Sequence, residues 1–279
     1  MAGFLIGCLS GILGGLLGIG GAVVMIPLMV SFLKLGQHRA HGTSLVAVVF
    51  TGVSGAAYYA SHAMTDLTAA LLIVPTAMIT ASAGARFATA LPEWKLKRSF
   101  GAFQIAIACL LAAKPHLPQL SAVLGMSILK AAILLLTGVF TGFLSGMMGV
   151  GGGAIMVPAL ILLLGYGQHM AQGTSLVAMI PAGAAGSLTH WKLGNIQKDL
   201  LGGLVAGAVV GTYLGAAAAN LLPDGQLRAA FAIVLILMGV RNLITAAPGP
   251  AEAVSASWPR GETVPVSASA PKEPKRVSP

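Results

Sequence analysis

Eight apolar stretches, most of them about as long as a bilayer is thick, occupy this chain near 2–33, 43–61, 67–90, 99–113, 121–164, 174–191, 199–220 and 227–245. A helix needs roughly 20 apolar residues to cross the hydrocarbon core. None of the stretches alternates in the way an outer-membrane barrel strand must, and a closed barrel is the only β structure that lipid tolerates. Of the 279 residues, 56% are apolar and 8% charged. Soluble domains carry about a quarter charged residues, so a soluble enzyme or a nucleic-acid binder is excluded. The pattern predicts an all-α polytopic membrane protein whose surroundings are the lipid bilayer.

The formal charge of +9 is spread over short loops and a polar tail, so its bearers read as topology signals and not as a polyanion patch. Cys8 and Cys109 both lie in apolar runs, which argues against a disulfide framework or a metal quartet. No cofactor motif stands out. Gly149-x-Gly151-x-x-Ala154 matches a dinucleotide fingerprint in form, but no strand precedes it and no acid follows at the required distance. The first stretch has no basic leader and belongs to a motif that recurs mid-chain, so it is not read as a cleavable signal. From 246 to 279 the composition turns to Pro, Ser, Ala and charges, which predicts a disordered, solvated tail.

Sliding the sequence by 131 positions brings two halves into register. GIGGAVVMIP (Gly18–Pro27) falls on GVGGGAIMVP (Gly149–Pro158), and GQHRAHGTSLVA (Gly36–Ala47) on GQHMAQGTSLVA (Gly167–Ala178). Between 18–47 and 149–178, 16 of 30 positions are identical, more than apolar bias alone produces. The reading is two tandem repeats, 1–113 and 131–245, joined by 114–130. Each has a glycine-broken first segment followed by three spanning helices. Repeats of this kind are characteristic of secondary transporters, with the site at their interface.

Charge bears on how the repeats are oriented. If every apolar segment crosses once, Lys and Arg divide six against five. If each long first segment is instead a hairpin turning at its glycines, the repeats are inverted. Lys34, Arg39, Lys95, Lys97, Arg98, Lys192, Lys198 and Arg241 then face only Lys114, Lys130 and Arg228. The positive-inside rule favours the second arrangement, with both termini cytoplasmic. Segment 121–148 is long enough to span alone, which keeps the single-span reading open.

The glycine clusters carry the chemistry. Gly18, Gly20 and Gly21, and again Gly149, Gly151 and Gly152, interrupt apolar runs and are followed by Pro27 and Pro158. Glycine costs a helix interior about 1 kcal/mol and proline about 3, so the helix should break. Backbone freed at membrane depth must be buried in protein or line a cavity. A helix that restarts there presents free N–H groups and a positive dipole end, an anion site without a charged side chain. The competing reading is close helix packing through small residues.

The second paired motif is Gly42-Thr43-Ser44 and Gly173-Thr174-Ser175, placed at the start of a membrane helix. Thr43, Ser44, Thr174 and Ser175 are read either as caps or as hydroxyl donors to a bound oxyanion. His38 and His169 fall in short loops just upstream, either as solvated groups or as gating residues. His41 is replaced by Gln172 in the other half, which argues against a symmetric metal site. All four acids of the membrane body (Asp66, Glu93, Asp199, Asp224) are assigned to loops, so no intramembrane carboxylate is available for a proton or sodium relay. Arg86 and Lys130 read as snorkelling side chains, and His190 with Trp191 as an interfacial anchor.

A duplicated glycine break with its proline, each followed by GTSLVA, resembles the sulfite exporter TauE/SafE family of transporters. The resemblance covers about 3–245 and rests on Gly18, Gly20, Gly21, Pro27, Gly42, Thr43 and Ser44 with their counterparts Gly149, Gly151, Gly152, Pro158, Gly173, Thr174 and Ser175. It implies a multi-pass permease of a prokaryotic inner membrane, moving sulfur-containing anions such as sulfite or organosulfonates. The alternatives are a non-transporting membrane subunit and an intramembrane enzyme. Sequence specifies neither the anion, nor its direction, nor an oligomeric state.

Overall fold

The structure is a computed structural model describing residues 1–87, 93–113, 128–148 and 151–245. Gly149, most of the inter-repeat connection and the 246–279 tail lie outside the described residues. Among the described residues ten helices follow one another: α1 (Ala2–Leu17), α2 (Ala22–Phe32), α3 (Gln37–Ser61), α4 (Leu67–Phe87), α5 (Glu93–Ala113), α6 (Ile128–Met148), α7 (Gly153–Leu163), α8 (Gln168–Lys192), α9 (Lys198–Asn220) and α10 (Asp224–Thr245). There is no strand among the described residues. Among the described residues five helices are long and apolar enough to cross a membrane: His38–Ser61, Leu67–Phe87, Ile128–Met148, Lys198–Asn220 and Asp224–Thr245. Large apolar side chains such as Leu71, Ile79 and Phe140 point outward, as a lipid-facing surface requires. The chain is an all-α polytopic membrane protein.

The bounds of α2 and α3, shifted by 131, are those of α7 and α8. The helices of the two halves interleave instead of forming two bundles. A methyl group on Gly7, Gly11 or Gly15 would lie 2.1, 2.5 and 2.1 Å from the carbonyl oxygens of Leu204, Ala208 and Thr212, so α1 runs parallel to α9 in backbone contact. At the corresponding positions, methyl groups on Gly138, Gly142 and Gly146 would lie 2.4, 2.3 and 1.9 Å from the carbonyl oxygens of Ile73, Ala77 and Ala81, joining α6 to α4. These glycines serve packing: with lipid outside, small residues let helices approach closely enough for dispersion to hold them. At the centre, Gly52 and Gly55 of α3 approach Ile180 and Leu176 of α8, while Gly183 and Gly186 approach Val49 and Leu45. Those pairings mean that α3 and α8 run antiparallel.

Three local expectations are corrected. Gln37-His38 and Gln168-His169 are the first helical positions of α3 and α8, not loops. Gly36 (φ −59°, ψ 147°) and Gly167 (φ −64°, ψ 159°) start the helices early, at ends that need not be apolar. The Gly-Thr-Ser motifs therefore sit in the second turn and cannot cap their own helices. Glu93 opens α5, and Asp199 and Asp224 lie in the first turns of α9 and α10, where the helix dipole favours their carboxylates. His190 is buried with its Nε2 3.5 Å from the Gly146 carbonyl oxygen, and Trp191 alone is exposed in the manner of an interfacial anchor.

Candidate substrate site at the two helix breaks

Both predicted breaks exist. Gly18, Gly20 and Gly21 adopt φ of 70°, 71° and 75°, and Gly151 and Gly152 adopt 82° and 77°. This left-handed region is costly for any residue with a Cβ, so the glycines are what permits the helix to stop and restart within four residues. The chain folds back as it does so: a methyl group on Gly21 would lie 2.4 Å from the Ser10 carbonyl oxygen, and one on Gly14 would lie 2.4 Å from the Gly21 nitrogen. The two breaks also touch one another. A methyl group on Gly153 would lie 2.6 Å from the Gly18 carbonyl oxygen.

The two ends exposed by the first break are treated differently. At the carbonyl end of α1, Gly18 and Ile19 donate to Gly14. The Gln172 amide donates to the Leu16 carbonyl at 3.1 Å, and the Ser175 hydroxyl donates to the Gly18 carbonyl at 2.7 Å. The Tyr59 hydroxyl shares its proton between the Gly15 carbonyl (3.0 Å) and Gln172 Oε1 (2.8 Å). Thr51 donates to the Gly20 carbonyl at 3.1 Å. Every one of these side chains is buried. At the N–H end of α2 the pattern reverses. Val24 and Met25 donate to the Gly21 carbonyl, but the N–H groups of Ala22 and Val23 find no acceptor among the described residues. In the second half Ile155 and Met156 donate to Gly152, and Gly153 and Ala154 likewise lack an acceptor among the described residues. At the first break side chains satisfy the carbonyls of Gly15, Leu16, Gly18 and Gly20, while the first N–H groups of α2 and α7 have no acceptor among the described residues.

The paired threonines act as capping acceptors, but for helices other than their own. Thr43 accepts from the Gln197 N–H at 3.0 Å, and Thr174 accepts from the Asp66 N–H at 2.9 Å. Each caps the start of a helix in the other half, α9 and α4 respectively. Ser44 donates to the His41 carbonyl at 2.8 Å within its own helix. His169 lies with Nδ1 2.5 Å from Asp224 Oδ1 and Nε2 3.0 Å from the Ala219 carbonyl oxygen, tying the start of α8 to α10. Asp224 also accepts from the Gln168 N–H at 3.1 Å. His38 is exposed at the corresponding end of α3.

At the start of α4, Asp66 accepts from the Ala69 N–H at 2.9 Å and from the Tyr166 hydroxyl at 2.5 Å. Burial pushes the Asp66 carboxyl upward, but the Tyr166 hydroxyl, the Ala69 N–H and the Lys130 charge outweigh it and hold the group below the usual carboxylate range. Tyr166 is pushed well above the usual phenol range by burial and by that carboxylate. The Lys130 ammonium lies 5.6 Å from the centre of the Tyr166 ring.

Sequence reasoning missed Tyr59, Gln172 as a ligand of the break, and Thr51. Their signal was present as polar side chains inside apolar helices, all three of which change between halves: Tyr59 answers to His190, Gln172 to His41, and Thr51 to Ala182.

Comparison with known proteins agrees with this architecture. Residues 3–242 match the family model described as sulfite exporter TauE/SafE. The chain belongs to the sulfite exporter TauE/SafE family. Among its relatives is the probable membrane transporter protein YunE of Bacillus subtilis, 28% identical over 84% of this chain and 93% of the relative. The probable membrane transporter protein YdhB of the same organism is 26% identical over 83% of this chain and 95% of the relative. A probable membrane transporter protein of Haemophilus influenzae is 28% identical over 86% of this chain and 96% of its own length. No solved structure matches the chain significantly. As a TauE/SafE member the chain is a membrane transporter and not an enzyme.

Proposed function

We propose that this transporter moves small sulfur-containing anions, such as sulfite or an organosulfonate, across a prokaryotic inner membrane. It does so by alternating access at the interface of two inverted repeats, with both termini cytoplasmic. The single observation that carries the reading is the imbalance at the breaks. At the first break the carbonyl end is occupied by Gln172, Ser175, Tyr59 and Thr51, while the N–H groups of Ala22 and Val23 have no acceptor among the described residues. An oxyanion supplies acceptor oxygens to such donors, and the dipole of the restarting helix favours its charge.

In this reading Gly18, Gly20, Gly21, Gly149, Gly151 and Gly152 shape the site by letting backbone approach the substrate. Ser44 and Ser175 lie within its walls, and Thr43 and Thr174 hold the two halves in register around it. The antiparallel course of α3 and α8 supports inversion, because parallel repeats would run those equivalent helices in the same direction. The bond between Thr43 and Gln197 supports it too, since it places the starts of α3 and α9 on one side. His38 and His169 occupy equivalent ends of α3 and α8, where a rearrangement of the His169–Asp224 contact would free α8 from α10 as a gate.

Purified protein in liposomes tests the reading. Sulfite loaded inside should leave at a rate that depends on the protein, and a membrane potential should bias its direction. Sulfite should also raise the thermal transition of the protein in detergent, because a ligand that binds only the folded state stabilises it. Flux and thermal shift both absent for sulfite, thiosulfate and sulfonates alike would sink the proposal.

A further inference from the structure

We infer that the Met179 side chain is the plug of the central site and sets the size of the anion admitted there, an inference that rests on the anion reading above. Met179 is fully buried. Its methyl carbon reaches both breaks at once: a methyl group on Gly20 would lie 2.4 Å from Met179 Cε, and one on Gly151 would lie 2.6 Å from it. Its sulfur lies 3.0 Å from a methyl group placed on Gly153, whose own N–H is one of those without an acceptor among the described residues. Met179 packs with Ala22 and Val48 in a small apolar cluster of its own at this point. Val48 stands 131 positions earlier, at the equivalent place in α3, and touches the same two breaks with a shorter, branched side chain.

The chemistry suits a plug. A thioether is a weak acceptor at best, so it excludes water from the N–H groups without satisfying them. Its unbranched side chain has three rotatable bonds and moves without breaking a hydrogen bond. Val48, branched at Cβ, is held to one strongly preferred χ1 in a helix and cannot swing in the same way. The α3 side of the site is thus a fixed wall, and the α8 side is a movable stopper.

The test is a flux comparison of sulfite, methanesulfonate and benzenesulfonate in proteoliposomes. It uses wild type, Met179→Ala, Met179→Val and the swapped double variant Val48→Met/Met179→Val, with thermal unfolding reporting the fold of each. Met179→Ala should raise the benzenesulfonate-to-sulfite flux ratio by at least about tenfold, the scale on which apolar pockets discriminate by size. The double variant, which conserves volume, should return the ratio toward that of wild type. A ratio unchanged in every folded Met179 variant overturns the plug while leaving the anion reading intact. Loss of fold in both single variants also overturns it, making Met179 a packing residue. Absence of flux and of thermal response to all three anions in wild type overturns the anion reading, and the plug with it.

Discussion

The two breaks share a backbone and differ in what seals them. At the first, Tyr59 reaches the Gly15 carbonyl at 3.0 Å and is itself tied to Gln172 at 2.8 Å. At the second, His190 occupies the place of Tyr59 and approaches the equivalent carbonyl, that of Gly146, at 3.5 Å, while its Nδ1 has no hydrogen-bond partner among the described residues. One break is held shut by a two-membered network of groups that stay neutral at physiological pH. The other is held by a single long contact from a buried imidazole ring. A duplicated scaffold therefore need not give two equivalent seals: the glycines recur in both halves, while the residues one layer out differ.

The largest effect that separates the breaks comes from their glycines. A methyl group on Gly21 meets the Ser10 carbonyl oxygen at 2.4 Å, whereas one on Gly152 meets nothing closer than the Thr141 carbonyl oxygen at 3.3 Å. Both positions carry left-handed backbone, so Ala at either costs about 1–2 kcal/mol from conformation alone. Gly21→Ala adds a collision with main chain that cannot rotate away, bringing its expected cost to about 2–5 kcal/mol. Thermal or denaturant unfolding in detergent should rank Gly21→Ala well below Gly152→Ala. Equal losses would mean that the second break is as tightly packed as the first.

The sealing residues come next. Tyr59→Phe leaves the Gly15 carbonyl and Gln172 Oε1 short of a donor in a buried place, an expected loss of about 1–3 kcal/mol. His190→Phe gives up one long contact and removes a nitrogen that had no partner, so it should lie within about 1 kcal/mol of wild type. If His190→Phe is the more damaging of the two, the second break is not the weaker seal. Stability measured at neutral pH decides this.

The membrane class, the positions of both breaks and the correspondence of the halves were legible because each is written locally, as hydropathy, glycine φ demands and a 16-in-30 identity. The partners of the breaks were not. Ser175 and Gln172 meet α1 across 157 and 156 positions of chain, and hydropathy periodicity says nothing about which helices adjoin. The threonines show the same limit from the other side. Their capping role was considered for their own helix, whereas Thr43 and Thr174 cap helices 154 and 108 positions away. Met179 left no local trace, since a methionine in an apolar helix is indistinguishable from core until its neighbours are known.

Those two caps give the third comparison. Thr43 accepts the Gln197 N–H at the start of α9, where no side chain of the helix itself caps the first turn. Thr174 does the same for Asp66 at the start of α4, but there the Asp66 carboxylate also accepts from Ala69. Removing an N-cap acceptor costs about 0.5–2 kcal/mol. Thr43→Val should fall in the upper part of that range and Thr174→Val in the lower, with amide exchange accelerating in the first turn of α9 more than in that of α4.

The smallest expected effect is one of pH, and it distinguishes the same two helix starts. Asp66 at the head of α4 is held below the usual carboxylate range, with burial opposing and the Tyr166 hydroxyl, the Ala69 N–H and Lys130 prevailing. A group whose pKa is depressed on folding contributes stability above its unfolded value, about 3.9 for Asp, and that contribution fades as pH falls through the folded value. The start of α4 should thus loosen at pH below about 4. The start of α9 has Gln197 at the equivalent position and should show no matching step from that residue. Asp66→Asn should remove the acid-dependent part of the loss while lowering stability at neutral pH, because the amide cannot accept from both Tyr166 and Ala69 as a carboxylate does. Amide exchange of Leu67–Ala70 against Lys198–Leu201 across pH 3 to 7 reads the difference directly. Identical acid profiles for the two segments would show that Asp66 is no more than a passive cap.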